Sequence, residues 1–223
     1  MLKKFCAVLF FALVIQGNLY AENSPEDNPY QYRRRRTYDY WFVTGSIGGQ
    51  VYFGDHDKQE SISKRIVPKY EANIGKWFNE SFGFRLGVNT GKIKGLTQDV
   101  NLKTSEKYVV PNHWLYRHEY NYVNVHADIL FNWTNDVESL HRDFSYHIVP
   151  YVGLGWSSAW DKPKVSIFSP NLGFIQTYKL DDKVSLHLDI RGNLYGDRFD
   201  GEKGGNKFEG TASALLGLSY SFK

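Results

Sequence analysis

The segment TASALLGLSYSF, residues 211–222, lies at the end of the sequence and decides its fold. Its side chains alternate between an apolar face and a face of small polar residues, with Leu215 as the one exception. The apolar face consists of Ala212, Ala214, Leu216, Leu218, Tyr220 and Phe222. A period of two is that of a β-strand, and a terminal strand ending in Tyr220 and Phe222 is typical of the strand that closes a membrane barrel. The segment therefore predicts a barrel-closing strand.

The opposite end of the chain has the layout of an export signal. Lys3 and Lys4 precede an apolar run over residues 5–15, and a more polar stretch ends at Ala21. The run is too short for a membrane-spanning helix, which needs about 20 apolar residues. The predicted divisions of the chain are a signal peptide over residues 1–21, an extended periplasmic segment over 22–39 and a β-barrel over 40–223.

Cysteine content and charge exclude several classes of function. Cys6 lies inside the apolar run, so the predicted mature chain has no disulfide, thiol nucleophile or cysteine metal ligand. Without Lys3 and Lys4 the chain has 25 basic and 24 acidic side chains, which gives no overall attraction to nucleic acid. The 17% aromatic content and 20 glycines suit a barrel, because aromatic rings form interfacial belts and glycine fits a crowded interior.

Seven further segments alternate in the same way and complete an eight-stranded map. The predicted strands cover residues 41–53, 69–78, 82–89, 120–133, 144–156, 168–180, 184–194 and 211–222. Pro150 lacks an N–H, so it predicts a bulge or a locally unpaired position in the fifth strand. The fold class is all-β: an eight-stranded antiparallel transmembrane β-barrel with an up-and-down meander.

The connections between the predicted strands differ in length. Those after strands two, four and six are shorter, whereas the others are longer and carry most of the charge; the longest covers residues 91–119. Outer-membrane barrels have short periplasmic turns and long external loops. The sequence therefore predicts that both termini lie in the periplasm.

Five segments support this interpretation by resemblance. In order, they are GGQVYFGDHD (48–57), GKWF (75–78), HADILFN (126–132), IVPYVGLGW (148–156) and DRFDG (197–201). Together they resemble the N-terminal barrel of OmpA-like major outer-membrane proteins, over nearly all of the mature chain. The resemblance implies the outer membrane of a Gram-negative bacterium. Members usually continue into a peptidoglycan-binding domain, and because the sequence stops at Lys223 we do not extend wall anchoring to it.

The inward faces of the predicted strands carry titratable side chains of both signs. They are Glu71, Arg85, His126, Asp128, His187, Asp189 and Arg191. The interior of an eight-stranded barrel is just wide enough for side chains to fill, and an unpaired charge there costs several kcal/mol. We therefore expect an ion-pair network that blocks the lumen, with a proton or ion path as the alternative.

Aromatic residues near the strand ends predict two interfacial belts. The external belt comprises Trp114, Tyr116, Tyr120, Trp156, Trp160 and Tyr195, and the periplasmic belt comprises Trp41, Trp77, Phe78, Phe82, Trp133 and Tyr178. These belts would anchor the barrel in outer-membrane lipid, the first expected partner.

The expected function is non-enzymatic, with no catalytic residue, cofactor or metal site: a structural or partner-presenting role in the cell envelope. Other envelope proteins are expected partners through the external loops or the N-terminal extension. The candidate contact in that extension is the basic block Arg33, Arg34, Arg35 and Arg36, for which the alternative is a solvated tail.

Three other functions stay open at this point. The first is a narrow porin or ligand-binding barrel. The second is a small outer-membrane lipid-modifying enzyme, in which His113 or His118 would activate a nucleophile together with a carboxylate. The third is a soluble eight-stranded ligand carrier, whose apolar faces would turn inward.

Overall fold

The structure is a computed structural model that describes residues 39–54, 57–104, 107–110, 113–134, 146–196, 199, 201 and 208–222. The side chains of residues 58, 107–110, 113 and 208 are outside this description. The predicted signal peptide, the N-terminal extension up to residue 38 and the block of four arginines also lie outside the described residues.

The described strands form one antiparallel sheet. They are β1 (Tyr40–Phe53), β2 (Val67–Trp77), β3 (Phe82–Thr97), β4 (Lys107–Val110), β5 (His113–Phe131), β6 (Tyr146–Ala159), β7 (Val165–Lys179), β8 (Val184–Gly196) and β9 (Phe208–Phe222). Each barrel strand pairs with its sequence neighbours, β3 pairs directly with β5, and β1 pairs with β9. All strands except β4 thus form a closed ring, which confirms the predicted eight-stranded antiparallel barrel. β4 is a short extension that pairs with the first residues of β5.

β9 contains the terminal segment from which the fold was predicted. In its ladder with β1, Phe222 lies opposite Trp41 and Tyr220 opposite Val43. Tyr220 and Phe222 are exposed on the outer face, while Leu215 is fully buried in the interior. The one exception in the sequence pattern, Leu215, is therefore an apolar side chain on the inward face. The strand continues through it without a bulge.

The two faces of the wall have opposite character. Most outward side chains in the middle of the wall are apolar and exposed, as at Ile47, Val125, Leu172 and Leu216. Inward side chains include the buried charges Arg85 and Arg191. This orientation suits a barrel surrounded by hydrocarbon and contradicts the alternative of a soluble carrier with an apolar interior.

The two ends of the barrel differ in their connections. The terminal end carries Tyr40 and Phe222, and two tight turns there are closed by backbone bonds from Phe78 to Phe82 and from Leu180 to Val184. The connections after β1, β3, β6 and β8 lie at the loop end, and the first of them contains a 3-10 turn (Asp57–Gln59) and a one-turn helix (Ile62–Arg65). Within the described residues, no helix combines the length and the apolar character needed to cross a membrane.

The strands are longer than predicted at the loop end. The predicted connection over residues 91–119 is wrong at both margins, because β3 continues to Thr97 and β5 begins at His113. The outward residues there include Lys94 and Glu119, which form an ion pair at 3.3 Å. These polar side chains hide the apolar alternation from sequence analysis, although the backbone ladder continues.

Pro150 lies at the end of one of its two ladders. The pairing of β5 with β6 stops at Leu130 and Tyr151, one residue before the proline, while Pro150 still lies opposite Phe174 of β7. A residue without an N–H fits this position, because the ladder on one side has already ended.

Candidate functional site

The barrel interior is the candidate functional site, and strand alternation directs its side chains. Register places Arg85 of β3 directly opposite Asp128 of β5. Asp189 and Arg191 lie two residues apart on β8 and therefore share its inner face. Glycine makes room for these groups: a side chain at Gly153 would collide with the Asp128 carboxylate. The inner wall is shaped around its charges.

Arg85 and Arg191 hold three carboxylates between them. Arg85 Nε lies 2.7 Å from Asp128 Oδ2, and its Nη2 lies 2.9 Å from Asp189 Oδ2. Arg191 Nη2 lies 3.0 Å from Glu71 Oε1 and 3.2 Å from Asp128 Oδ2. Asp128 thus bridges the two guanidinium groups, and the side chains of β2, β3, β5 and β8 meet in one network across the lumen.

Tyr151 contributes to the same network but was not among the predicted interior residues. Its hydroxyl donates to Asp189 Oδ1 at 2.5 Å and accepts from Arg191 Nε at 3.0 Å. The Arg85 guanidinium lies 4.4 Å from the centre of its ring, in cation–π contact. The alternation of β6 would have placed Tyr151 inward, opposite in face to Val152, so the signal was present in the sequence.

Lys69 is the second interior residue absent from the predicted network, although alternation places it on the same face of its strand as Glu71. It is fully buried, and its Nζ donates to Ser213 Oγ at 3.3 Å. With Lys69, the charged groups in the middle of the lumen balance in sign; a further buried carboxylate, Glu209, lies nearer the loop end and accepts a hydrogen bond from the Tyr52 hydroxyl. We call the balanced groups the ion cluster: Lys69, Arg85 and Arg191 as cations, and Glu71, Asp128 and Asp189 as anions. A cluster with no net charge avoids the large penalty of an uncompensated ion in a low-dielectric interior.

The two predicted interior histidines are both buried, in different places. His126 joins the ion cluster, with Nδ1 3.2 Å from Asp128 Oδ2. His187 lies apart from it, with Nε2 2.8 Å from Ser46 Oγ; these two residues flank Gly217 of β9 on the inner wall. The structure therefore brings six of the seven predicted residues together and leaves His187 nearer the terminal end.

An aromatic layer fills the lumen on the loop-end side of the ion cluster. It consists of the buried residues Tyr52, Tyr120, Tyr122, Tyr195 and Phe199, with Ile93 and Ala159 packed among them. Phe199 stacks on Tyr195 with ring centroids 4.1 Å apart. The assignment of Tyr120 and Tyr195 to the external lipid belt is therefore wrong: both lie on inward positions of their strands, where rings pack against rings.

The first loop-end connection folds over the aromatic layer. Asp57 accepts hydrogen bonds from the backbone N–H groups of Gly54 (2.8 Å) and Leu96 (2.9 Å). The buried Arg65 lies 3.5 Å from the Asp57 carboxylate and donates to the carbonyl of Tyr52 at the end of β1. Asp57 thus ties this connection to the tops of β1 and β3.

Replacing Asp57 with asparagine is expected to release this connection. The variant loses the charge that pairs with buried Arg65, and hydrogen bonds to charged groups contribute about 1.5–3 kcal/mol. We expect trypsin to cleave the folded variant faster after Lys64 or Arg65. Mass spectrometry of the fragments measures this, with Asp99→Asn in the next loop-end connection as the control. Equal cleavage rates for wild type and Asp57→Asn would contradict the role of Asp57 in holding this connection against β1 and β3.

A small vestibule opens from the terminal end. Its volume is about 90 Å³, and apolar side chains at its mouth include Phe42, Leu130, Val149 and Ile175. Arg85 and His187 line its inner part, where the ion cluster begins. The vestibule is therefore a recess that the ion cluster closes.

The residues proposed for lipid-modifying chemistry are not assembled in the described part of the chain. His118 is buried, and its Nε2 is hydrogen-bonded to the backbone carbonyl of Lys162 at 2.7 Å. The side chain of His113 lies outside the described residues. Among the described residues, no group of three or more His, Cys, Asp or Glu side chains is placed to hold a metal ion.

Comparison with known proteins places the barrel in its cellular context. The chain is 23% identical over 202 residues to outer membrane protein 40 and 21% identical over 170 residues to outer membrane protein 41, both from Porphyromonas gingivalis. These alignments cover 85% and 72% of the chain but 49% and 39% of the relatives, so the chain spans at most about half of their length. No family model matches the chain.

A solved structure with a similar fold is the outer membrane protein OprG from Pseudomonas aeruginosa. Its TM-score is 0.49 at 7% sequence identity, and the match covers 83% of this chain and 97% of that one. The strands form a closed ring with an apolar exterior, and the similar curated proteins are outer-membrane proteins. This chain is therefore an outer-membrane β-barrel protein.

Proposed function

We propose that this outer-membrane barrel is a closed, non-enzymatic scaffold with a structural or partner-presenting role, of the OmpA-like type. The observation that carries the proposal is the filled lumen. The ion cluster joins four strands across the interior, and the aromatic layer packs behind it. An eight-stranded barrel whose interior is occupied by paired side chains leaves no continuous water path for solutes.

The orientation and the partners belong to the same proposal. Two of the three terminal-end connections are tight turns, whereas three of the four loop-end connections are long, over residues 54–66, 98–112 and 197–207; this supports periplasmic termini in a Gram-negative outer membrane. Partners would then meet the loop end from outside the cell and the N-terminal extension, including Arg33, Arg34, Arg35 and Arg36, from the periplasm. Outer-membrane lipid surrounds the wall between them.

The test of a closed lumen is the conductance of the purified full chain in planar lipid bilayers. Because the ion cluster and the aromatic layer occupy the lumen in series, we expect no stepwise current across a wide range of voltage. A sixteen-stranded porin, whose lumen is an aqueous channel, serves as the positive control in the same bilayers. Reproducible current steps from the purified chain would favour the narrow porin and end the proposal of a closed scaffold.

A further inference from the structure

A lysine lies between two aromatic rings on the outer surface at the terminal end. Lys76 Nζ is 5.6 Å from the ring centre of Trp41 and 5.8 Å from that of Phe78. The same ammonium is 2.9 Å from Asp39 Oδ1. Asp39, Trp41 and Phe78 are exposed, and Lys76 is 29% exposed. The surface thus presents a cation and an anion side by side within an aromatic frame.

The strand faces below this pair are apolar. Val43 and Ile74 lie opposite each other on β1 and β2, two residues further from the terminal end than Trp41 and Lys76, and both are exposed. Polar and aromatic groups next to an apolar band mark the interface between hydrocarbon and lipid headgroups. Lys76 and Asp39 therefore lie at the depth of the lipid headgroups. The exposed apolar surface next to them, at Val43 and Ile74, can contact an acyl chain of the same lipid.

We propose that Asp39, Trp41, Lys76 and Phe78 form a binding site for one phospholipid whose headgroup carries both a phosphate and a primary ammonium, as in phosphatidylethanolamine. Lys76 Nζ donates to the phosphate, and the lipid ammonium donates to the Asp39 carboxylate. The aromatic rings flank both cations by cation–π contact. An acyl chain extends along Val43 and Ile74.

The existing contact between Lys76 and Asp39 does not compete strongly with such a lipid. An ion pair between solvent-exposed side chains is worth only about 0–1 kcal/mol, so its opening costs little. A headgroup with both charges replaces the single ion pair between Lys76 and Asp39 by two ion pairs, one between Lys76 and the phosphate and one between Asp39 and the lipid ammonium. A phospholipid with a phosphate and no ammonium would instead meet repulsion from Asp39. This site rests on the outer-membrane placement of the barrel and on the proposed periplasmic position of its terminal end, but it stands or falls independently of the closed lumen.

Native mass spectrometry of the purified full chain tests the site. The protein is offered an equimolar mixture of phosphatidylethanolamine, phosphatidylglycerol and phosphatidylcholine with identical acyl chains. We expect wild type to retain phosphatidylethanolamine about fivefold over either competitor, a ratio that corresponds to about 1 kcal/mol. Lys76→Gln should lower the retention of all three lipids, because each carries the phosphate that Lys76 binds, while Asp39 still favours phosphatidylethanolamine. Asp39→Asn should abolish the preference by allowing phosphatidylglycerol to bind equally well.

Lys183→Gln is the matched control, since Lys183 is an exposed lysine in the turn between β7 and β8 at the same end. It removes the same charge and should leave both the retention of each lipid and the preference unchanged. Both site variants should unfold at the wild-type temperature, because neither side chain is buried. Equal retention of phosphatidylglycerol or phosphatidylcholine by wild type, or an equal effect of Lys183→Gln, would overturn the proposal. Displacement of the bound lipid by inorganic phosphate at equal concentration would also overturn it.

Discussion

Replacing Arg191 with methionine is expected to lower the free energy of unfolding by about 3–5 kcal/mol, the usual cost of removing one partner from a buried ion pair. Arg191 contacts Glu71, Asp128 and the Tyr151 hydroxyl. Its loss leaves the ion cluster with two cations against three anions. Methionine fills a similar length, so the effect arises from uncompensated charge more than from lost volume.

The measurement is guanidinium-induced unfolding of the barrel from phospholipid vesicles, followed by tryptophan fluorescence. The double variant Arg191→Met with Glu71→Gln restores a neutral ion cluster and separates charge from packing. We expect it to be more stable than Arg191→Met alone by about 0.5–3 kcal/mol, the usual range of coupling between contacting residues. If Arg191→Met is as stable as wild type, the ion cluster contributes little to the fold and our account of the interior is wrong.

Replacing Gly48 with valine should damage the seam at which the barrel closes. Gly48 lies on β1 opposite Leu215 of β9, and a Cβ atom there would collide with the backbone of Ala214 and Leu215. Backbone atoms in a ladder cannot move aside as the tip of a flexible side chain can. We expect a loss of about 3 kcal/mol, at the upper part of the range for overpacked interiors, and a lower yield of closed barrel.

Gly45 offers a matched control three residues earlier on the same strand. It lies on the outer face, and a Cβ atom there meets no atom within 4 Å. Gly45→Val should therefore fold in the same yield as wild type, since valine suits a strand. The folded fraction after refolding into vesicles is measured by circular dichroism for all three proteins. Similar losses in both variants would show that strand propensity, and not the closing seam, determines the effect.

The sequence predicts the wall of this barrel well because alternation is a local property. The period of two assigns a face to every strand residue, so Arg85, Asp128, Asp189 and Arg191 could be placed inside without knowing their partners. Closure could also be predicted, because the apolar face of the last strand ends in Tyr220 and Phe222.

Contacts across the lumen could not be predicted in the same way. Arg191 reaches Glu71, which lies 120 positions earlier in the chain, and that approach depends on the closure of the ring. Lys69 was overlooked because its role emerges only when the interior charges are counted together. Tyr120 was assigned to a lipid belt by its position near a strand end, although its parity with His126 indicates the interior. The position of a residue along its strand indicates its depth in the membrane. Whether it lies an even or an odd number of positions from a known inward residue indicates which face of the wall it is on.

The balance of three cations and three anions inside the wall has a consequence for how such chains diverge. In a related sequence with a neutral residue in place of Lys69, we expect one of the three acidic residues to be neutral as well. Substitutions at these six sites should therefore occur in pairs, one basic and one acidic residue at a time. Outward positions such as Leu216 face no such constraint and can trade one aliphatic residue for another independently. Covariation within the lumen and free drift on its exterior would be the evolutionary signature of this architecture.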